Sequence, residues 1–210
     1  MRRFADLQVK CPTSTVEAEA LASNLRKLGF KLVALTLTSP EDLDKFGETK
    51  EAFSRFKVEA FARLNLKPKS SGELLRHLTA NRRKFHVVSV ICENKQVARQ
   101  AAKDHRVDTL IFPAGKIRLF DRAEVELAST TGAALEFSLS QLLNLRNGFL
   151  ARFLAEARVA VRLALKKGIP IVFSSGAGDV YGLRAPRDLA AVAHSLLEIP
   201  AEQSIAAVST

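Results

Sequence analysis

The chain has 210 residues, 47% of them hydrophobic, which is enough for one sizeable core and sets a single domain spanning 1–210 as the expectation. Its 32 Lys and Arg outnumber 22 Asp and Glu, and the net charge of +10 points to polyanions such as nucleic acid or an acidic membrane surface. Two cysteines without CxxC spacing, Cys11 and Cys92, argue against a disulfide framework or a zinc site, and both read as small buried hydrophobes in a reducing compartment. The N-terminus, MRRFADLQV, lacks the apolar stretch of a signal peptide and no apolar run reaches spanning length, so a soluble, cytoplasmic protein without membrane contact is expected.

Phe4 to Lys10 reads as a first strand, and Thr15 as the cap of a helix whose Ala18, Leu21, Ala22, Leu25 and Leu28 recur at helical spacing before Gly29. Lys31 to Thr38 is a second strand, followed by a polar helical stretch from Glu41 to Phe56 that should break near Gly47. Val58 to Leu66 forms a third strand, and Ser70-Ser71-Gly72-Glu73 opens a helix carrying Leu74, Leu75 and Leu78. Strand four is Phe85 to Cys92, with Asn94 capping a helix from Lys95 to His105. Strand five is Asp108 to Phe112, followed by a loop and a helix from Asp121 to Ser129. Strand six is Ala133 to Leu139, and the longest helix runs from about Asn147 to Lys167. Ile171 to Phe173 starts strand seven, and its helix spans Pro186 to Glu198. The tail from Pro200 fits a short edge strand or a helix fragment.

Seven short apolar strands alternating with helices define a parallel α/β domain. A barrel or a doubly wound sheet would serve. The first strand-to-helix turn, CPTST, lacks GxGxxG, which favours barrel-like closure. In a barrel, binding groups sit at the C-terminal strand ends, and the loops after the last strands are frequent phosphate sites. Ser174, Ser175 and Gly176 therefore form a candidate phosphate loop, with Arg184 and Arg187 behind it at a helix start. The same loop also fits an ordinary strand-to-helix connection, with the two arginines solvated or paired to Asp179 or Asp188.

Positive charge is uneven. Nine basic residues fall between Arg55 and Lys84 (Arg63 and the Arg82-Arg83-Lys84 run among them) against Glu59 and Glu73 only. Arg158, Arg162 and Lys166 repeat at i, i+4, i+8 opposite the apolar stripe of the longest helix, mildly repelling one another unless a phosphate-lined partner neutralises them. Catalytic signals are thin. His77, His86, His105 and His194 have no HxH or HxxxH spacing, GxSxG is missing, and Asp6 and Glu136 could point inward without an evident proton-transfer partner. With one Tyr, no Trp and 13 Phe at mostly core spacing, RNA would be held through phosphates and shape.

The ordered set FSL at Phe137 to Leu139, LARF at Leu150 to Phe153, KKGIPIVFSSGA at Lys166 to Ala177 and LRAPRDL at Leu183 to Leu189 resembles archaeal ribonuclease P protein component 3, counterpart of the eukaryotic p30-type subunit. The match is clearest from Val107 to Pro200. The resemblance implies a distorted TIM-like barrel of about seven parallel strands, related to the PHP phosphoesterases. It also implies a protein that is non-catalytic alone. The RNA subunit, using Mg²⁺ of its own, removes the 5′ leader of precursor tRNA, while this protein binds no cofactor, holds the ribonuclease P RNA and works with ribonuclease P protein component 2. PHP enzymes start their metal centre with HxH on strand one, where this chain has Asp6-Leu7-Gln8. Family members often carry a basic residue after FSL, and here Ser140-Gln141 stand instead. Carried over residue by residue, the RNA contacts are Arg152, Lys166, Arg184, Arg187 and Arg99. Charge alone adds Arg118, Arg122, Arg82, Arg83 and Lys84. All are expected to gather at one rim of the barrel. A metal-dependent PHP-type phosphoesterase is the competing reading, and a small-molecule barrel enzyme the third.

Overall fold

The computed structural model describes residues 3–209, except the side chain of Lys45. Seven parallel strands pair in chain order: β1 (Ala5–Lys10), β2 (Leu32–Leu37), β3 (Glu59–Leu66), β4 (Val87–Ile91), β5 (Thr109–Ile111), β6 (Ala134–Ser138) and β7 (Ile171–Ser174). The helices between them are α1 (Thr15–Leu28), α2 (Leu43–Arg55), α3 (Ser71–Asn81), α4 (Lys95–Ala102), α5 (Arg122–Thr131), α6 (Leu139–Leu143), α7 (Gly148–Lys166), α8 (Pro186–Leu197) and α9 (Ala201–Ala206). Short 3-10 turns at Pro40–Asp42, Ile117–Leu119 and Val180–Gly182 lie in the loops after β2, β5 and β7. Strands such as LVALTL bury apolar side chains between sheet and helices. On the helix side, Leu21, Leu25, Leu74 and Phe153 complete that layer.

The helix starts follow from side-chain caps. Ser14, Ser70, Asn94 and Asp121 each accept a backbone N–H of the following turn. The first cap is thus Ser14, one residue before the expected Thr15. α2 runs unbroken through Gly47. A helical glycine costs about 1 kcal/mol, and buried Phe46 and Phe53 on either side outweigh it. Strand six stops at Ser138, whose hydroxyl caps the short α6, so Leu139 is helical. The tail resolves as α9.

Closure of the barrel is divided between two devices. At the C-terminal strand ends β1 and β7 meet directly, through a Val9–Ala177 bridge and a 2.8 Å bond from Lys10 N–H to Ala177 O. Nearer the other end the chain's own tail fills the seam. Ala5 N–H donates to Val208 O at 3.0 Å, and Phe173 N–H to Ala207 O at 2.9 Å. Unpaired strand edges would otherwise expose backbone groups at this gap. No helix is long and apolar enough to cross a membrane, among the described residues.

Candidate nucleic-acid interface

A barrel concentrates alternate strand residues in its interior, and here they are polar. Arg63 of β3 is fully buried and spends its guanidinium on four bonds. Two go to Glu136 of β6 (2.8 and 2.9 Å), one to Leu7 O (2.6 Å) and one to Asn65 Oδ1 (2.8 Å). The Thr109 hydroxyl lies 2.6 Å from Glu136 Oε2 and 2.7 Å from Ser89 Oγ, and Ser174 Oγ lies 3.3 Å from Glu136 Oε1. Two opposite charges in a dry interior are tolerable only when so fully bonded. Arg63 therefore leaves the basic run in which the sequence places it: it is a core residue, closed to any polyanion.

Asp6 of β1 is the second buried carboxylate. Its Oδ1 accepts the N–H groups of Ser175 (3.1 Å) and Gln8 (3.3 Å), while Oδ2 has no hydrogen-bond partner among the described residues. Burial pushes the Asp6 carboxyl up to about 6, against the opposing pull of its Ser175 and Gln8 bonds and of Arg63. These carboxylates do not fit a metal ion. Both oxygens of Glu136 serve Arg63, and no group of three or more His, Cys, Asp or Glu among the described residues could hold one. Of the histidines, His86 Nδ1 accepts Ala62 N–H and His194 Nδ1 bonds Ile199 O.

The proposed phosphate loop is also used internally, which corrects the sequence reading. Ser174 and Ser175 are buried. Ser175 N–H is taken by Asp6, Ala177 N–H by Ser175 Oγ (3.0 Å), and Ser175 O accepts Ser140 N–H (3.0 Å). Gly176 sits at φ +64, where a Cβ would overlap the Ser140 hydroxyl. The small residues of SSGA serve close packing of this loop over the barrel mouth, in place of an open anion cradle.

The basic residues divide by position. A helix following a strand begins near that strand's C-terminal end and finishes at the opposite end of the barrel. Arg118, Arg122, Arg152, Arg184 and Arg187 all fall in loops or in the first two turns of helices after β5, β6 and β7, and all five are exposed. Glu156, whose side chain is only 8% exposed, draws two of them together, with Arg118 Nε at 2.8 Å and Arg152 Nε at 3.1 Å. One acid thus orients two outward guanidinium groups and leaves one positive charge in excess. Arg184 donates to the carbonyls of Tyr181 (2.8 Å) and Leu183 (2.6 Å). Arg122, Arg184 and Arg187 take part in no ion pair among the described residues, so neither Asp179 nor Asp188 neutralises the last two.

The other candidates lie elsewhere. Lys166, Arg83 and Lys84 are exposed at helix C-termini, at the opposite end of the barrel, and Arg82 is beside them. Arg82 forks onto Asp108 at 2.8 and 3.0 Å and is held there as a structural ion pair. Arg99, midway along α4, faces Glu124 at 3.4 Å in a cluster where Lys95 meets Asp121 and Glu124. Arg158 and Arg162 of the α7 ladder share Glu198, 3.2 Å from each, which leaves one positive charge in excess there as well. Of the ten cations expected at a single rim, five arginines therefore lie there, beside Arg146 of the loop before α7. Cys11 departs in a smaller way: Cys92 is buried, Cys11 only partly, although burial still pushes its thiol up to about 11. Gln141, two residues after the FSL motif, donates to Phe112 O at 2.7 Å. Sequence reading missed the Arg63–Glu136 pair and the role of Glu156, although Arg152 and Glu156 stand at a readable i, i+4 spacing.

A seven-stranded parallel α/β barrel, one of its two inward acids tied to an arginine, is the class defined by this geometry. Histidinol phosphate phosphatase from Lactococcus lactis, solved with zinc, L-histidinol and phosphate, has the same fold at 9% identity. Its TM-score is 0.58, and the match covers 93% of each chain. A chain of archaeal ribonuclease P with mature tRNA, solved by cryo-EM, superposes better, with a TM-score of 0.82 at 23% identity over 96% of this chain and 87% of that one. Ribonuclease P protein component 3 of Methanococcoides burtonii is 27% identical over 210 residues, 99% of this chain and 85% of its own. The Methanocaldococcus jannaschii component 3 is 29% identical over 157 residues, covering 74% of this chain and 68% of its own. The model of the RNase P subunit p30 family matches residues 3–210, and the chain belongs to that family.

Proposed function

We propose that the chain serves ribonuclease P by holding RNA, and that bond breaking takes place outside it. Family membership makes it a protein subunit of ribonuclease P, the enzyme of tRNA maturation. The observation that carries the RNA-holding reading is the set of exposed arginines after β5, β6 and β7, Arg118, Arg122, Arg146, Arg152, Arg184 and Arg187, of which only Arg118 and Arg152 form ion pairs, both with Glu156, among the described residues. Guanidinium forks match phosphate oxygens, and each neutralised phosphate releases a counterion. On this reading the rim contacts the ribonuclease P RNA, which removes the 5′ leader of precursor tRNA with Mg²⁺ bound to RNA, and the protein carries no cofactor. Ribonuclease P protein component 2 is the proposed protein partner, and the cytoplasm the proposed site of action. The Arg63–Glu136 pair argues against the phosphoesterase alternative, since it occupies one of the two inward carboxylates and leaves Asp6 without a second acid for metal chemistry.

Titrating the RNA subunit with the full chain across a salt series tests the reading. Log affinity should fall with log salt with a slope of several units in magnitude, roughly 0.7–0.9 per phosphate contacted. A flat dependence would contradict it. So would robust phosphoester hydrolysis by the purified protein with divalent metal and no RNA.

A further inference from the structure

The C-terminal end of the barrel has a second sector, over β1 and β2, that differs in charge from the arginine rim. Three cavities of about 510, 300 and 250 Å³ adjoin there, sharing Lys10, Cys11, Pro12, Leu37, Thr38 and Gly178 in their walls. In a chain of net charge +10, the charged lining of this groove among the described residues is four acids, Glu17, Asp42, Glu48 and Asp179, against Lys10. None of the four acids joins an ion pair among the described residues. Three of them are oriented by backbone N–H groups at helix or turn starts: Glu17 by Thr13, Asp42 by Ser39, and Asp179 by Tyr181 and Gly182. Val16 and Tyr181, the chain neighbours of lining residues Glu17 and Val180, are 78% and 85% exposed. Water gains nothing from such apolar groups, and exposed aromatics beside a groove are typical anchors of protein interfaces.

We propose that this groove docks a polypeptide segment of a protein partner, one that carries Lys or Arg for the four acids and an apolar side chain for the ground beside Tyr181. RNA is the wrong occupant, because its phosphates would meet four carboxylates along a concave wall. The inference rests on the chain being a ribonuclease P subunit, and it divides one end of the barrel into an RNA sector over β5–β7 and a protein sector over β1–β2.

Cys11 is a built-in reporter, since it lines two of the cavities while Cys92 is buried. Its alkylation by iodoacetamide, read by mass spectrometry, is compared for the free chain, the chain with ribonuclease P RNA, and the particle reconstituted with RNA and component 2. We expect at least a tenfold slowing in the particle and none with RNA alone. The double variant Glu48→Lys, Tyr181→Ala should restore the free rate in the particle while RNA affinity stays within twofold. Unchanged alkylation in the particle, protection by RNA alone, or protection that survives the double variant would each overturn the proposal. Loss of RNA binding by the wild-type chain would instead overturn the function proposed above.

Discussion

At the scale of single residues the barrel mouth is governed by Asp6 and Gly176. Gly176 combines a positive φ with a position where any side chain meets Ser140. Gly176→Ala should therefore lose about 2 kcal/mol or more, visible as a lowered denaturant midpoint with an unchanged slope. Asp6 is buried with a carboxyl raised from 3.8 to about 6, so between those values the folded protein holds its proton more tightly than the unfolded chain does. The corresponding stability is full at low pH and is lost as pH rises through the window, by roughly 3 kcal/mol at neutrality. Asp6→Asn is neutral throughout and lacks that slope. The stability difference between the variant and wild type, measured in urea at about pH 4 and about pH 7.5, should shift towards the variant at the higher pH, and a constant difference would contradict this assignment. Asp6 and Glu136 were legible in the sequence as inward carboxylates. Their fates were not: Glu136 finds its arginine 73 residues away, and nothing local distinguishes Arg63 from its solvated basic neighbours.

At the scale of elements, the alternation of apolar runs with capped helices was enough to read the strands, their parallel order and the helix starts. The misreadings arose where local signals competed with packing. Gly47 looked like a break, yet Phe46 and Phe53 are buried along the same helix. Leu139 extended an apolar run, yet Ser138 caps a helix there. The tail had no clear period because it closes the β1–β7 seam through backbone bonds, which any sequence can make. The strands themselves are cross-linked by the β3–β6 ion pair. Removing either partner leaves a buried charge, so Arg63→Met and Glu136→Leu should each cost about 3–5 kcal/mol. The double variant should cost clearly less than the sum, which chemical denaturation of all four proteins would reveal. Additive costs would mean that the two groups do not stabilise one another.

At the scale of the whole molecule, a charge of +10 suggests a polyanion but does not say where it would bind. Ion pairing decides that. Asp108 and Glu124 hold Arg82 and Arg99, and Arg158 and Arg162 share Glu198. The topology sends Lys166, Arg83 and Lys84 to the far end of the barrel. At the C-terminal end over β5–β7 remain Arg118, Arg122, Arg152, Arg184 and Arg187, with Lys116 and Arg146 exposed in the same loops. That selection depends on long-range contacts between helices and loops, which no single stretch of sequence encodes.

The most direct test of the rim is the salt dependence of RNA binding in two paired variants, Arg184→Ala with Arg187→Ala at the C-terminal end and Arg83→Ala with Lys84→Ala at the opposite end. The rim pair should weaken binding and reduce the magnitude of the log–log salt slope by about one to two units with little change in melting temperature, while the far pair leaves both affinity and slope as they are. Equal losses from both pairs, or a larger loss from the far pair, would contradict the assignment of RNA to this end of the barrel.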